Sequence, residues 1–316
     1  MKNATCYGTG VIGTAWAVVF LKAGLNVTLY DINEEILEKT KGNLKNIFGF
    51  FKAENLMTQE QIDDCLTRVS FTTDVKTAVE NADFIQESCP ERLDLKRAVI
   101  AKIEEFAKPD AIICSSTSGL PVTDIARGAK HPERIVGGHP YNPVYMIPLV
   151  ELTKGEFASE ENVQKAKQFY IEVGKEPIVL NKDCPGFVCN RLQVALAREA
   201  YDLVYRGVVS AEDADKAVVY SIGLRWAIVG PYMVNQLGGG AGGIRAIFNH
   251  IGPAAKAWYE DLATWSEAPE GFIDIAEAGV KEEMAHRAPG TGQTDAELLN
   301  YMNKGIIQIL KYHGKL

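Results

Sequence analysis

The chain has no run of basic residues, and its acidic side chains outnumber the basic ones. Its 316 residues include 41 aspartates and glutamates against 33 lysines and arginines, which gives a formal net charge of −8. Proteins that bind nucleic acids present concentrated positive charge to the phosphates. We therefore expect no nucleic-acid partner.

Cysteine motifs typical of metal sites are also missing. The six cysteines are scattered along the chain, and no two of them form a C-x-x-C pair. Several lie in predicted strands, where a cysteine behaves as a small buried hydrophobic residue. We expect no metal site and a reduced, cytoplasmic protein.

The first apolar stretch does not have the features of a targeting or membrane-spanning segment. Residues 11–21 follow a glycine turn, without a cationic leader or a small-residue cleavage pattern. The stretch is also shorter than the roughly 20 residues that cross a bilayer. We expect no membrane partner. The chain length and the 47% hydrophobic content favour two domains with an ample core.

A glycine motif near the start organises the rest of the chain. Gly8-Thr9-Gly10-Val11-Ile12-Gly13 lies between an apolar segment typical of a strand and one typical of a helix. In this context G-x-G-x-x-G indicates a dinucleotide site. Gly8 allows the tight turn, Gly10 lets a pyrophosphate approach the backbone, and Gly13 lets the helix pack on the strand. The predicted cofactor contacts are Gly8, Gly10, Val11, Ile12 and Gly13, at the N-terminus of the helix.

An acidic residue after the second predicted strand indicates which dinucleotide binds. Asp31 follows the apolar segment 27–30 and lies eighteen residues past Gly13. A carboxylate there accepts hydrogen bonds from the adenosine ribose hydroxyls and repels a 2′-phosphate. The predicted cofactor is therefore NAD rather than NADP. The alternative is a glycine-rich turn in an ordinary βαβ unit.

Strand and helix patterns alternate through the first part of the chain. Further strands are predicted at 69–72, 84–87, 111–114, 135–140, 149–152 and 175–180. This alternation predicts an α/β Rossmann domain with a doubly wound, mostly parallel sheet over residues 1–183. Beyond it only helical patterns remain, which predicts an all-α domain over 184–316. Ligands of such sheets lie at the carboxyl ends of the strands.

His139 differs from the other four histidines in its surroundings. It ends an apolar strand, and Glu151 lies on the next predicted strand. A carboxylate that holds a histidine fixes its tautomer and stabilises the imidazolium, which suits a general base for a hydroxyl proton. Ser118 and Asn190 are candidates for hydrogen bonds to a substrate oxygen. Spacing alone leaves open a purely structural His–Glu pair.

Four motifs together resemble the L-3-hydroxyacyl-CoA dehydrogenase family, over residues 5 to about 230. They are Ser116-Thr117-Ser118, His139-Pro140-Tyr141-Asn142-Pro143-Val144, Pro148-Leu149-Val150-Glu151 and Pro185-Gly186-Phe187-Val188-Cys189-Asn190-Arg191. The resemblance implies an NAD-dependent oxidoreductase with a Rossmann domain and a mostly helical domain that forms a homodimer.

The resemblance also implies roles for single residues. The histidine at 139 takes the hydroxyl proton and Glu151 orients it, while Ser118 and Asn190 hold the reacting oxygen. Two further residues, Glu91 and Lys96, are implied to lie near the cofactor. Ser116 stands where acyl-CoA members usually have an asparagine, and we keep it as a candidate cofactor contact.

The departures from the acyl-CoA members are similar to a branch that acts on small free 3-hydroxy acids. That branch contains carnitine 3-dehydrogenase and λ-crystallin (L-gulonate 3-dehydrogenase), and the likeness lies in residues 115–118, 138–140, 144–149 and 224–227. Within the last stretch, Arg225 has the planar guanidinium that pairs with a free carboxylate. The alternative for Arg225 is an ordinary salt bridge between helices.

Two other functions compete with a dehydrogenase of a small polar 3-hydroxy acid. One is a short-chain 3-hydroxyacyl-CoA dehydrogenase, whose CoA phosphates could meet the lysines at 39, 41, 45 and 52. The other is a non-catalytic NAD-binding protein of the crystallin kind. The set Ser118, His139, Glu151 and Asn190 favours an enzyme.

Overall fold

The computed structural model describes residues 1–316, with eight strands and thirteen α-helices. The chain divides into two compact units, Met1–Cys189 and Asn190–Leu316, which we call the sheet unit and the helical unit. The predicted division after residue 183 lies a few residues before this one.

One sheet of eight strands forms the centre of the sheet unit. The strands are β1 (Asn3–Tyr7), β2 (Asn26–Tyr30), β3 (Val69–Thr72), β4 (Phe84–Glu87), β5 (Ile112–Ser115), β6 (Ile135–Pro140), β7 (Leu149–Thr153) and β8 (Glu176–Val179). Their order is β3-β2-β1-β4-β5-β6-β7-β8, and all neighbours are parallel except β6 and β7. The chain builds outward from β1 to β3 and then returns to β4 on the other side of β1. The carboxyl ends of β1 and β4 therefore border the crevice where such sheets bind ligands.

Seven helices connect the strands of this unit. They are α1 (Val11–Lys22), α2 (Glu34–Ala53), α3 (Gln59–Thr67), α4 (Val75–Val79), α5 (Leu93–Glu104), α6 (Val122–Ala126) and α7 (Glu160–Glu172). The sequence pattern predicts α1 and helices at about 34–51, 58–66, 74–81 and 93–106, which correspond to α2, α3, α4 and α5, but it does not predict α6 or α7.

A cluster of buried aromatic rings joins α1 and α7 to the sheet. Phe84 of β4 stacks on Phe169 of α7 with ring centroids 3.9 Å apart, and Trp16 and Phe20 of α1 lie against the same group. These rings are almost fully buried, so they contribute both area and preferred ring geometry to the core. Because α1 follows the glycine motif, this packing fixes the position of the motif over the sheet.

The helical unit contains no strand. Its helices are α8 (Cys189–Tyr205), which starts at the last residue of the sheet unit, α9 (Ala211–Ala217), α10 (Gly223–Gly238), α11 (Gly243–Asp261), α12 (Phe272–His286) and α13 (Asp295–Tyr312). Helix α10 is broken at Gly230, whose φ of 74° and ψ of 166° are not helical, and Pro231 follows. This unit buries little apolar surface, since α10 has no buried residue and α11 has only Gly243.

Candidate active site

The N-terminus of α1 is left open, in contrast to α2, α3 and α7. The N-cap of α1 is Gly10, which has no side-chain oxygen, and its first turn contains no acidic residue. The other three begin at Asn33, Thr58 and Ser159, whose side chains accept from first-turn amides, and each has an acidic residue in that turn. Uncapped N–H groups at the positive end of a helix dipole bind phosphate well.

Close packing requires glycine at two positions of the motif, and the third glycine faces open space. A Cβ on Gly13 would lie 1.8 Å from the carbonyl oxygen of Gly8, and one on Gly8 would lie 3.0 Å from the backbone of Ser88. Nothing lies within 4 Å of a Cβ built on Gly10. The backbone at Gly10 is therefore accessible to a ligand, as a pyrophosphate requires.

The Asp31 carboxylate is held against the glycine loop. Its Oδ2 accepts from the Thr9 N–H at 2.7 Å and from the Thr9 hydroxyl at 3.0 Å, while Oδ1 accepts from the Ile32 N–H at 2.8 Å. The Thr40 hydroxyl of α2 lies 2.9 Å from that of Thr9. Each carboxylate oxygen can accept more than one hydrogen bond, so Asp31 can also accept from ribose hydroxyls. The residues around the glycine loop thus fit NAD, and Ile32, uncharged and 76% exposed, offers no cation to a 2′-phosphate.

His139 and Glu151 face each other across the antiparallel pair β6 and β7. They occupy opposite positions in the register, and His139 Nδ1 lies 2.9 Å from Glu151 Oε2. His139 is 7% exposed and Glu151 is fully buried. With Nδ1 held by the carboxylate, the remaining ring nitrogen, Nε2, is the one that can receive a proton.

A tight turn before α8 supplies two more donors to Glu151. The N–H groups of Val188 and Cys189 donate to Oε1 at 2.8 and 3.0 Å. Phe187 precedes them in a left-handed conformation with φ of 53°, which costs a bulky residue on the order of 1 kcal/mol or more. Burial raises the pKa of Glu151, but the hydrogen bonds from His139 and the two amides outweigh it and hold that pKa below its usual range.

Glu91 binds the turn that carries Ser118. Its Oε1 accepts from the Thr117 hydroxyl at 2.6 Å and from the N–H groups of Ser118 and Gly119 at 2.8 and 3.0 Å. Although burial raises the pKa of Glu91, these bonds and the Lys96 charge lower it overall. The sequence predicts Glu91 as a cofactor neighbour but gives no sign of this contact, because the backbone donors lie 27 and 28 residues away along the chain.

Lys96 lies beneath Glu91 and is 1% exposed. Its ammonium donates to both oxygens of the buried Glu87 at 3.0 Å and to the Cys89 carbonyl at 3.2 Å, and lies 3.5 Å from Glu91 Oε2. These partners occupy its three donors. Of Lys96, Glu87 and Glu91, it is Glu91 that a ligand can reach, because 37% of its side chain is exposed. Glu87 is absent from the predicted site, although it is the partner that makes a buried lysine tolerable.

Ser116 belongs to a chain of polar side chains at the ends of β4 and β5. Its hydroxyl lies 2.8 Å from Gln86 Nε2 and 2.9 Å from the Ser88 hydroxyl, and Gln86 Oε1 accepts from Tyr170 at 2.6 Å. Ser88 also lies against Gly8 and Gly13. Ser116 therefore stands next to the glycine loop, where a cofactor contact is predicted.

The sheet order collects these groups at one edge. Strands β1, β4, β5 and β6 are consecutive and parallel, so the glycine loop, Ser116, Ser118 and His139 all follow neighbouring carboxyl ends. The other two predicted site residues belong to the helical unit: Asn190 is the second residue of α8, and Arg225 lies in α10. Arg225 is exposed and takes no part in the ion pairs of that unit, so the structure does not support a salt bridge between helices.

Comparisons with known proteins identify the family of the chain. The family model of the 3-hydroxyacyl-CoA dehydrogenase NAD binding domain matches residues 3–184, and that of the C-terminal domain matches residues 186–271. The L-carnitine dehydrogenase of Oceanobacillus iheyensis is 42% identical over 278 residues, which are 88% of each chain. A 3-hydroxyacyl-CoA dehydrogenase of Gibberella moniliformis is 40% identical over 84% of each chain.

A solved structure shares the fold over nearly the whole chain. The NAD⁺-dependent 5-formyl-3-hydroxy-2-methylpyridine 4-carboxylic acid 5-dehydrogenase superposes with a TM-score of 0.80 at 27% identity, covering 99% of this chain and 97% of that one. NAD is therefore the cofactor of the glycine loop.

Proposed function

The chain belongs to the 3-hydroxyacyl-CoA dehydrogenase family, and from that premise we propose that its substrate is a small, free 3-hydroxy acid of the L-carnitine type. The family acts on CH–OH groups with NAD, so the reaction interconverts the 3-hydroxy acid and the 3-keto acid. The observation that supports a free acid is that L-carnitine dehydrogenases from several bacteria are 35–42% identical over 88–100% of this chain.

His139 is the proposed general base. NAD supplies the hydride acceptor, and the proton of the substrate hydroxyl passes to His139 Nε2 as the carbon–hydrogen bond breaks. The Glu151 carboxylate at Nδ1 stabilises the imidazolium that forms, and the Ser118 hydroxyl, which lies 3.4 Å from Glu91 Oε1, is proposed to bond the reacting oxygen. Asn190 is proposed to bond the same oxygen and Arg225 to pair with the substrate carboxylate, since a guanidinium matches a carboxylate at two points.

The pH dependence of oxidation follows from this arrangement. His139 must be neutral to accept a proton, so oxidation is lost toward acid pH and reduction of the keto acid is favoured there. The pKa of Glu151 lies below its usual range, so this carboxylate is expected to stay ionised over the acid limb of the profile. One ionisation on the acid side, rather than two, is therefore expected in the pH profile.

A short-chain 3-hydroxyacyl-CoA is the second candidate substrate. The Gibberella relative named as a 3-hydroxyacyl-CoA dehydrogenase is 40% identical to this chain, close to the value for the carnitine enzymes. A thioester has no free carboxylate, so Arg225 would have no partner in that reaction.

The test is a comparison of NADH formation from L-carnitine, L-gulonate, 3-hydroxybutyrate and 3-hydroxybutyryl-CoA. We expect the highest kcat/KM with a free acid, and an Arg225→Met variant should raise KM for that acid sharply because a charge pair is lost. The best activity on 3-hydroxybutyryl-CoA, together with a harmless Arg225→Met, would overturn the proposal in favour of the second candidate.

The role of His139 is tested separately. His139→Ala should lower turnover by about 10²- to 10⁴-fold while NADH still binds, because the glycine loop is untouched. Glu151→Gln should lower it less, since an amide can still hold the ring. Turnover close to normal in His139→Ala would exclude this residue as the base.

A homodimer formed by the helical unit is the proposed assembly. Large apolar side chains of α10 and α11 face solvent, among them Tyr232, Leu237, Trp258 and Tyr259, each more than 60% exposed. By length and composition alone the helical stretch 211–238 could cross a membrane, with a mean hydropathy of 1.3. The family model of the C-terminal domain covers residues 186–271, so we assign this stretch to the folded helical domain rather than to a membrane span. An exposed apolar surface of this kind is typical of a protein interface.

The free thiols of Cys6, Cys65 and Cys114 support the proposed cytoplasmic location.

A further inference from the structure

A third side chain, Tyr141, contacts the His139–Glu151 pair and has no role in the proposed reaction. Tyr141 follows His139 by two residues, just beyond β6, and its hydroxyl lies 3.4 Å from Glu151 Oε2. This is the same oxygen that holds His139 Nδ1 at 2.9 Å. The other oxygen, Oε1, is occupied by two backbone N–H groups. The buried carboxylate thus bonds the imidazole, two backbone N–H groups and the Tyr141 hydroxyl, and the Cys189 thiol also lies within hydrogen-bonding reach of it.

The Tyr141 ring also limits where the imidazole can lie. Its centroid is 4.9 Å from that of His139 at an interplanar angle of 63°, and Phe187 lies 5.5 Å from His139 at 60°. The imidazole is therefore enclosed between two aromatic rings in favourable tilted geometry. One of these rings also has a polar group directed at the partner of the imidazole.

The groups around Tyr141 keep its hydroxyl protonated, so that it can donate to Glu151. Burial, Cys189 and Glu151 raise the pKa of Tyr141, so the phenol keeps its proton. Burial and the Glu151 charge raise the pKa of the Cys189 thiol to about 11, so this neighbour is neutral. The charges in contact with the tyrosine are then those of Glu151 and of His139 when it is protonated.

We propose that Tyr141 is a positioning residue of the His139–Glu151 pair, whose hydroxyl draws charge from Glu151 and so weakens the grip of the carboxylate on the imidazolium. A hydrogen bond to the charged form of an acid disperses its charge. With the hydroxyl in place, the imidazolium is easier to deprotonate, and the base is ready at lower pH. The meaning of this effect for catalysis rests on the proposed role of His139.

The experiment follows the imidazole directly and does not need a substrate. The full chain is labelled with ¹⁵N-histidine, and the ring resonances are followed against pH in the enzyme without cofactor. The resonance of His139 is assigned from the His139→Ala spectrum. In Tyr141→Phe we expect the midpoint of this titration to move to higher pH by about 0.5 unit, a shift that corresponds to a twofold to fivefold change in proton affinity.

Two controls separate this effect from a loss of packing. Tyr145→Phe removes a phenol four residues away, whose ring packs on Phe51, and should leave the midpoint unchanged. In a Glu151→Gln background the Tyr141→Phe change should no longer move the midpoint, because the charge on which the hydroxyl acts is gone. An unchanged or lower midpoint in Tyr141→Phe alone, or an equal shift when Glu151→Gln is also present, would overturn the proposal.

Failure here and failure of the proposed function are distinguishable. If His139→Ala retains turnover, the base is assigned wrongly, whatever the titration shows. If His139→Ala is inactive and Tyr141→Phe titrates as the wild type does, only the role of Tyr141 falls.

Discussion

At the scale of single residues, we predict that the choice between NAD and NADP depends on the Asp31 carboxylate and on Ile32, which follows it. Asp31 is fixed by Thr9, and Ile32 presents an exposed aliphatic group where a 2′-phosphate would need a cation. Asp31→Ala should reduce the preference for NADH over NADPH by about tenfold, or about 1.4 kcal/mol. Adding Ile32→Arg should bring the two affinities close together or reverse their order.

Calorimetric titration with NADH and NADPH measures this preference without any substrate. Glu34→Ala is a matched control, because it removes an exposed carboxylate three residues away in the first turn of α2. Equal binding of the two dinucleotides by the wild type would show that Asp31 does not select the cofactor.

The residues of the site differ in how far the sequence predicts them. The pairing of His139 with Glu151 is foreseeable, because two apolar strands joined by a short loop place strand ends side by side. The capping of the Ser118 turn by Glu91 is not, because it depends on the order of β4 and β5 in the sheet. Neither is the burial of Lys96, since a buried lysine needs a partner, and Glu87 reads in the sequence as the end of a strand.

At the scale of elements, α1 is the helix of the sheet unit that has neither a capping side chain nor an acidic residue in its first turn. Asn33, Thr58 and Ser159 satisfy the first turns of their helices, whereas Gly10 leaves that of α1 open. The helical pattern before Pro231 and Pro253 is harder to read, because glycine and proline residues normally end helices. For that reason the sequence predicts helices at about 211–221 and 254–265 but not α10 or the first half of α11, although the structure forms both.

Strand β6 depends on a glycine at position 138. A Cβ there would lie 2.3 Å from the Tyr170 hydroxyl and 3.3 Å from Cys114 Cβ, all in the core. Gly138→Ala should therefore lower the free energy of unfolding by about 1–3 kcal/mol, as overpacking of a core does.

Denaturant unfolding is the measurement, and Gly42→Ala is its control. Gly42 lies inside α2 with nothing within 4 Å of the added Cβ, so alanine there should stabilise the protein by roughly 0.5–1 kcal/mol. If both substitutions stabilise, the packing of Tyr170 under β6 is not as tight as described.

At the scale of the whole molecule, the helical unit leaves large apolar side chains of α10 and α11 exposed, and we expect a second copy of the chain to cover them. We expect the wild type to sediment as a particle of twice 34.7 kDa. Tyr232→Asp places a charge on an exposed part of α10 and should shift the protein toward the monomer, because an unpaired charge in an interface is strongly unfavourable.

Analytical ultracentrifugation at micromolar concentration decides this, with Ile171→Asp on α7 as the control for an exposed apolar side chain of the sheet unit. A wild-type monomer that floats with lipid vesicles would point to a membrane as the cover of the apolar surface and would contradict the homodimer.

The sequence predicts a division after residue 183, because strand patterns stop before Asp183, and the compact units of the structure divide between residues 189 and 190. The pattern does not predict that the connecting segment, residues 184–189, binds Glu151. Residues 184–189 form a strained turn, and its amides bind the same carboxylate as the proposed catalytic histidine.

Because both bind Glu151, the conformation of the connecting segment and the protonation of His139 are thermodynamically coupled. Any rearrangement that lengthens the bonds from Val188 and Cys189 concentrates charge on Glu151, and a more basic Glu151 holds an imidazolium more tightly. Linkage of this kind is reciprocal. If His139 takes up the hydroxyl proton as proposed, the free energy of bending at residues 187–189 changes by the same amount, so the segment leading into α8 responds to the protonation state of the pair.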